Sequence, residues 1–250
     1  MLRRASFFTY FLAAVIAIGM LSERAYSGIV MEQVVYEEGS PLRQKITIYI
    51  QDNKLKQVEN DGQFSPAVIF DLDSGNIVFV NNEKKLYITL SRDEYLKSIE
   101  SLMAETRNAP GEKRNVSLKK TGETGNFAGY PSKKYEIYDS GKLQTEYWVS
   151  KEPGFSDEID LKKISKLMNE VTKMSQNIGG SASISDNEYE IIQEIYEEGY
   201  PMKTVYYAQE GAGSVTEEIV SVKKQDIPAA EFLPPAGYEK ITYQDILKQQ

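Results

Sequence analysis

Lys45-Ile46-Thr47-Ile48-Tyr49-Ile50 places an apolar side chain at every second position. A strand alternates its side chains between two faces, so Ile46, Ile48 and Ile50 share one face and Lys45, Thr47 and Tyr49 the other. Upstream, Ile29 to Tyr36 reads as another strand, ended by Glu37-Glu38-Gly39-Ser40-Pro41. Downstream, Gln51-Asp52-Asn53 turns the chain and Lys54 to Glu59 returns. Val68 to Asp73, Asn76 to Val80 and Lys85 to Leu90 then form a meander. Its connections, Ser74-Gly75 and Asn81-Asn82-Glu83, are short enough for hairpins. Strands are also expected around Val116–Lys119, Tyr135–Tyr138, Gln144–Val149, Lys203–Gln209 and Val215–Val222. The 17 tyrosines and frequent Val and Ile suit a sheet protein.

Two segments follow a helical period. Ser91-Arg92-Asp93-Glu94 is a capping-box pattern, with Tyr95, Leu96, Ile99, Leu102 and Met103 behind it at helical spacing; this predicts a helix near 92–106. A second helix is expected near 157–174. Asp157, Glu158 and Asp160 stand in its first turn, and Ile164, Leu167, Met168, Val171 and Met174 form one apolar stripe. Residues 175–187 (SQNIGGSASISDN) have the composition of a connection. The segment 188–196 fits either period. Tyr36-Glu37-Glu38-Gly39-Ser40-Pro41 recurs, however, as Tyr196-Glu197-Glu198-Gly199-Tyr200-Pro201, with a fainter echo at Gly129-Tyr130-Pro131. That recurrence favours a strand–turn–strand connection and hence a strand over 188–196.

The expected architecture is mainly β (α+β): an unclosed curved antiparallel β-barrel of about ten to eleven strands, covered by two amphipathic helices. Strands with one apolar face must close on themselves or on a cover. The space between sheet and helices can be packed solid or can hold an apolar ligand. In the second case alternation and helical period place Ile46, Ile48, Ile50, Phe70, Leu72, Ile77 and Phe79 on the sheet side. Met103, Met168 and Met174 would face them from the helices.

Residue types narrow the chemistry. The chain holds neither His nor Cys, which excludes Ser-His-Asp and Cys-His catalysis, ordinary zinc sites and disulfides. Ser117 with Lys120 and Ser221 with Lys224 match a Ser-x-x-Lys spacing, but on strands such pairs point to opposite faces. Asp71 and Asp73 could serve a carboxylate-based hydrolase. The stretch from Asp71 misses the calcium-loop pattern, having Asn76 at the sixth position and Asn82 at the twelfth, so an acidic hairpin turn is the simpler reading. No cofactor, metal ion or enzymatic activity is expected.

The N-terminus reads as an export signal. Arg3 and Arg4 precede the uncharged run Phe7–Leu21, and Ala25-Tyr26-Ser27 presents small residues at the −3 and −1 positions of a cleavage site. The run is short of the roughly 20 residues of a spanning helix. Residues 1–27 are thus expected to be a signal peptide cleaved after Ser27, and residues 28–250 a single periplasmic domain with no further transmembrane segment. The signal carries a net charge of +2, so the formal −8 of the whole chain becomes −10 after cleavage. That charge disfavours nucleic acid and anionic lipid surfaces as partners.

The export signal, the strand run, one helix after the meander, a second before the last strands, and the terminal element 227–238 (IPAAEFLPPAGY) together resemble the LolA/LolB superfamily of lipoprotein carriers. Gly129-Tyr130 before the strand Lys134–Tyr138, and Tyr147-Trp148-Val149, bring the chain nearest to the bacterial group called domain of unknown function 4412. The resemblance spans roughly residues 29–240. It implies an unclosed, strongly curved barrel wrapped around helices, with an apolar concavity. It also implies a lipid, lipoprotein acyl chain or other apolar molecule as ligand, or an envelope protein as partner. An envelope sensor or interaction module using an exposed strand edge is the alternative it leaves open.

Overall fold

In the computed structural model, which describes residues 28–60, 65–105, 115–152, 154–164, 166, 186–208, 213–242 and 245, the alternation around Ile48 extends into rows that cross half a sheet. Six strands succeed one another as antiparallel neighbours: β1 (Ile29–Glu37), β2 (Gln44–Gln51), β3 (Lys54–Glu59), β4 (Ala67–Asp71), β5 (Asn76–Asn81) and β6 (Leu86–Leu90). Their register aligns Ile29, Ile50, Leu55, Phe70, Ile77 and Leu90 in one row. Met31, Ile48, Gln57, Val68, Phe79 and Ile88 form the next row on the same face. Ile48 and Ile50 are both 0% exposed, at the heart of a core cluster with Ile29, Met31, Phe155, Ile159, Met202 and Ile219.

The second half of the sheet comprises β7 (Val116–Phe127), β8 (Tyr130–Asp139), β9 (Lys142–Ser150), β10 (Tyr200–Tyr207) and β11 (Ser214–Lys224). The two halves join where β1 pairs with β11, so the first and nearly the last strands lie side by side. The two-residue β12 (Glu239–Lys240) adds to β6 in parallel. One unclosed, curved sheet of twelve strands results, running β12-β6-β5-β4-β3-β2-β1-β11-β10-β9-β8-β7. The count exceeds the ten to eleven expected from the sequence.

The helical cover also differs from expectation. Helix α1 (Arg92–Glu105) begins on the capping box: the Ser91 N–H donates to Glu94 Oε2 at 2.8 Å and the Glu94 N–H to Ser91 Oγ at 3.3 Å. It packs over β5 and β6, with Tyr95 5.9 Å from the Phe79 ring. The second predicted helix does not run unbroken from Asp157. A single turn, α2 (Phe155–Glu158), stops at Ile159, whose backbone is extended (φ −144°, ψ 131°) and whose side chain is 1% exposed in the core. The Asp160 N–H donates to Asn53 Oδ1 at 2.8 Å and Asp160 Oδ1 accepts the Lys162 N–H at 2.9 Å, so a fresh turn starts at 161–164. Burying Ile159 thus wins over helix continuity.

Residues 188–196, expected as a strand, belong to helix α3 (Asp186–Glu198). Ile191 and Ile195, four apart, bury against Val116, Tyr135, Ile137 and Val149, which only a helical period allows. The Glu-Glu-Gly echo marks the turn rather than the element before it. Gly39 and Gly199 both have positive φ, but the first follows a strand and the second a helix. The signal segment 1–27, Met168 and Met174 lie outside the described residues. Met103 stands on α1, its side chain likewise outside the description.

The opposite face of the first half carries its own cluster, Ala67, Ile69, Val78 and Val80, sealed by Ile227 and Phe232. The terminal element is therefore a strap: Lys56 Nζ meets Glu231 at 2.8 Å and the Tyr238 hydroxyl donates to Asn82 Oδ1 at 3.0 Å. On the same face of the second half, Lys134 bridges Glu136 and Glu146 at 3.0 Å each, and Lys119 binds Glu136 at 2.9 Å.

Candidate functional site

Helix α3 bridges the inner face, and beneath its Ile192 and Tyr196 lies a cavity of about 310 Å³. Residues from strands as far apart as β3 (Gln57) and β9 (Tyr147) line it. Five strand spacings separate those two in the sheet order, about 24 Å if the sheet were flat. Reaching one small cavity from both therefore requires the sheet to curl strongly around α3. Met202, 0% exposed, and Ile219 seal the floor, and Ile46 adds an apolar wall.

Tyrosine dominates the remaining wall. Tyr200 and Tyr206 of β10, Tyr147 of β9 and Tyr196 of α3 all border it. Tyr200 is fixed from behind by stacking on Phe155 at 4.3 Å. Helix α3 is held by its buried isoleucines and by Lys120, which pairs with Glu194 at 2.8 Å and Glu198 at 3.3 Å. The corner between α3 and β10 turns on Gly199 (φ +148°), where an added Cβ would lie 2.2 Å from the Ser150 carbonyl oxygen.

Glu217 of β11 opens on the same cavity and accepts a hydrogen bond from Gln33 Nε2 at 3.2 Å. Burial lifts its carboxyl above the usual carboxylate range, and the Gln33 amide offsets part of that lift. Burial, then the Glu217 charge, pushes the Tyr196 hydroxyl up to about 12. Tyr206, although 41% exposed toward the open concavity, is crowded enough by protein to be raised in the same way, as is Tyr200. All three stay neutral hydroxyl donors at ordinary pH. Among the described residues no Lys or Arg lines this cavity.

The sequence-predicted lining divides among several places. Ile46 lines this cavity, whereas Ile48 and Ile50 are wholly inside the core. Phe70, Leu72 and Ile77 border a separate recess of about 200 Å³ that also involves Arg92 and Lys163. Phe79 contributes to a third hollow near Leu86 and Ile241. The tyrosines, Glu217 and Gln33 were not picked out from the sequence. Their one signal there is the alternation of Thr204 and Tyr206 on one strand face, beyond a bulge at Pro201–Lys203.

The carboxylate pair considered for hydrolysis is occupied otherwise. Asp71 Oδ1 accepts the N–H groups of Asp73 at 3.0 Å and Ser74 at 3.1 Å, which builds the β4–β5 turn. Although burial acts the other way, these hydrogen bonds hold its carboxyl below the usual range. Asp73 pairs with Lys163 and accepts from Asn53 Nδ2 at 3.2 Å. Among the described residues no cluster of three or more acids could hold a metal ion, and no helix is long and apolar enough to cross a membrane.

The family model described as Domain of unknown function (DUF4412) matches residues 27–238. The chain belongs to the DUF4412 family. In this DUF4412 member the match spans β1 through the strap, and so includes both halves of the sheet, α3 and the cavity. The Gly129-Tyr130 turn between β7 and β8 and the Pro-Pro-x-Gly-Tyr strap fall inside it. No curated protein matches the sequence. Solved structures of similar fold include an uncharacterized conserved protein from Thermus thermophilus, with 8% identity, a TM-score of 0.47 and coverage of 92% of this chain and 99% of that one. The MucA/MucB complex structure from Pseudomonas aeruginosa matches with 10% identity and a TM-score of 0.42, over 90% of this chain and 62% of that one. A domain described as an outer membrane lipoprotein-sorting protein, from Vibrio parahaemolyticus, matches with 7% identity and a TM-score of 0.31, over 94% of this chain and 97% of that one. At such scores the likeness is loose.

Proposed function

We propose that residues 28–250 form one exported, non-enzymatic binding domain of the periplasm, released from the signal 1–27, whose inner concavity takes a lipid or another molecule with an apolar part. The observation that carries the reading is the cavity under α3. Its volume falls at the lower end of the roughly 300–1,000 Å³ typical of small-molecule sites, and it combines an apolar floor with a few convergent polar groups. Tyrosine rings suit such a task, offering apolar area with a hydroxyl at the tip. Phe70, Leu72, Ile77 and Phe79 continue the apolar inner face beyond the cavity and would accommodate a longer chain. Native mass spectrometry of protein purified from the periplasm without delipidation, together with titration of a fluorescent fatty acid, tests the reading. A bound apolar molecule, or saturable binding weakened by Met202→Glu, is the expected result; an empty protein that binds no probe would remove the proposal.

A second reading has its own observation. Strand β7 ends the sheet order, so one side of a twelve-residue strand pairs with no described neighbour. A free edge can receive a partner's strand. An envelope protein bound there would protect β7 amides from hydrogen exchange while leaving those of the cavity unchanged.

A further inference from the structure

The chemistry of the cavity narrows the ligand class, an inference that rests on the cavity being a binding site at all. Glu217 is the deciding residue. Its carboxylate, partly buried, opens on the cavity with an amide, Gln33, as its hydrogen-bond partner. The neighbouring Glu218 is already paired with Lys203 at 3.3 Å, and no cationic side chain among the described residues lines the wall. A carboxylate taken from water without a counter-ion is costly, and an entering cation relieves that cost. The four tyrosines add to the same preference, because the face of an aromatic ring carries negative potential and attracts ammonium groups. Acidic headgroups meet the opposite field.

We propose that the cavity receives the ammonium head of a cationic amphiphile, set among Tyr147, Tyr196, Tyr200 and Tyr206 beside Glu217, with its apolar tail along Ile46 and the inner face. The upward displacement of the Glu217 carboxyl agrees with an acid that lacks its cation. A sugar-headed amphiphile would also find hydrogen bonds at Gln33 and Thr204, but it leaves the Glu217 charge uncompensated.

Calorimetric titration of the full chain with submicellar dodecyltrimethylammonium, dodecanoate and dodecyl maltoside, and with tetramethylammonium alone, tests this. The trimethylammonium amphiphile should bind about tenfold more tightly than either dodecyl rival, the increment expected of a desolvated cation among aromatic rings. Glu217→Gln, nearly isosteric, should abolish that preference. Tyr206→Leu should weaken it, while Tyr206→Phe, which keeps the ring, should not. Glu190→Gln, an equal charge change on the exposed side of α3, should have no effect; a loss matching that of Glu217→Gln would reduce the preference to bulk charge and overturn the proposal. Equal affinity for the three dodecyl compounds would overturn the headgroup assignment and leave the binding function standing. Tighter maltoside binding would replace the ammonium with a sugar head. Binding of tetramethylammonium as strong as that of its dodecyl analogue would overturn the tail and indicate a free amine. If none of the probes binds, the binding function falls as well.

Discussion

Replacing Gly199 by alanine tests the corner that holds α3 over the sheet. Its φ of +148° is a conformation that side chains other than hydrogen rarely adopt, and an added Cβ would sit 2.2 Å from the Ser150 oxygen and 2.6 Å from its carbonyl carbon. The obstacle is backbone of the paired strand β9, so no side-chain rotation relieves it. Strained backbone costs about 1–3 kcal/mol and forced overpacking about another 1–3, so we expect a loss near 4 kcal/mol. With a urea dependence of about 2 kcal/mol per molar, the unfolding midpoint should fall by about 2 M. Gly141→Ala is the matched control. Its φ is +82° and nothing lies within 4 Å of the added Cβ, so only the backbone cost applies, about 1 kcal/mol. If the stabilities of the two variants fall within about 1 kcal/mol of each other, the corner has relaxed and the contact with Ser150 does not set it. Ligand binding by any Gly199→Ala protein that still folds should also weaken, because the corner joins Tyr196 to Tyr200.

The remaining predictions follow from burial and charge. Ile48→Ala, at a wholly buried position, should cost about 3 kcal/mol in urea unfolding, and Ile46→Ala, beside the cavity, clearly less. Phe232→Ala should cost about 3 kcal/mol by thermal or urea unfolding and expose β4 and β5 amides to exchange, since this ring seals the outer cluster. Glu136 is held at about 2, below its usual 4.5, by hydrogen bonding from Lys119, with burial opposing and Tyr138 and Lys134 assisting. Because the folded carboxyl is the more acidic, its stabilisation is complete above about pH 4.5 and is lost as the pH falls toward 2. Glu136→Gln should therefore lower stability by about 2 kcal/mol at pH 7 and flatten the acid limb of the stability profile; an unchanged limb would show that other carboxylates govern it.

The sheet was legible because its evidence is local. A residue such as Ile48 needs only its neighbours at 46 and 50 to declare a face, and Ser91 with Glu94 declares a helix start within four residues. The segment 188–196 misled for a physical reason: Ile191, Ile192, Ile195 and Tyr196 satisfy a helical stripe, yet β-branched and aromatic residues also favour strands. The Glu-Glu-Gly echo reports only the positive-φ turn at Gly199, so it could not arbitrate. The cavity was less legible still. Period-two alternation tells which residues share a face but not which faces meet, and Gln33, Ile46 and Gln57 of the first half meet Tyr147 and Glu217 of the second only because β1 pairs with β11 and the sheet curls. Apolar alternation selected Ile48 and Ile50, which the core consumes, since the greasiest positions are those most completely packed. A binding cavity has to be lined by groups that tolerate water when empty, and in a strand such groups, tyrosine and glutamate among them, look like a solvated face. What distinguishes them here is closure by α3. Without that helix, Glu217 and the tyrosines would be ordinary surface residues. With it, a carboxylate without a cation becomes the feature from which the ligand can be argued.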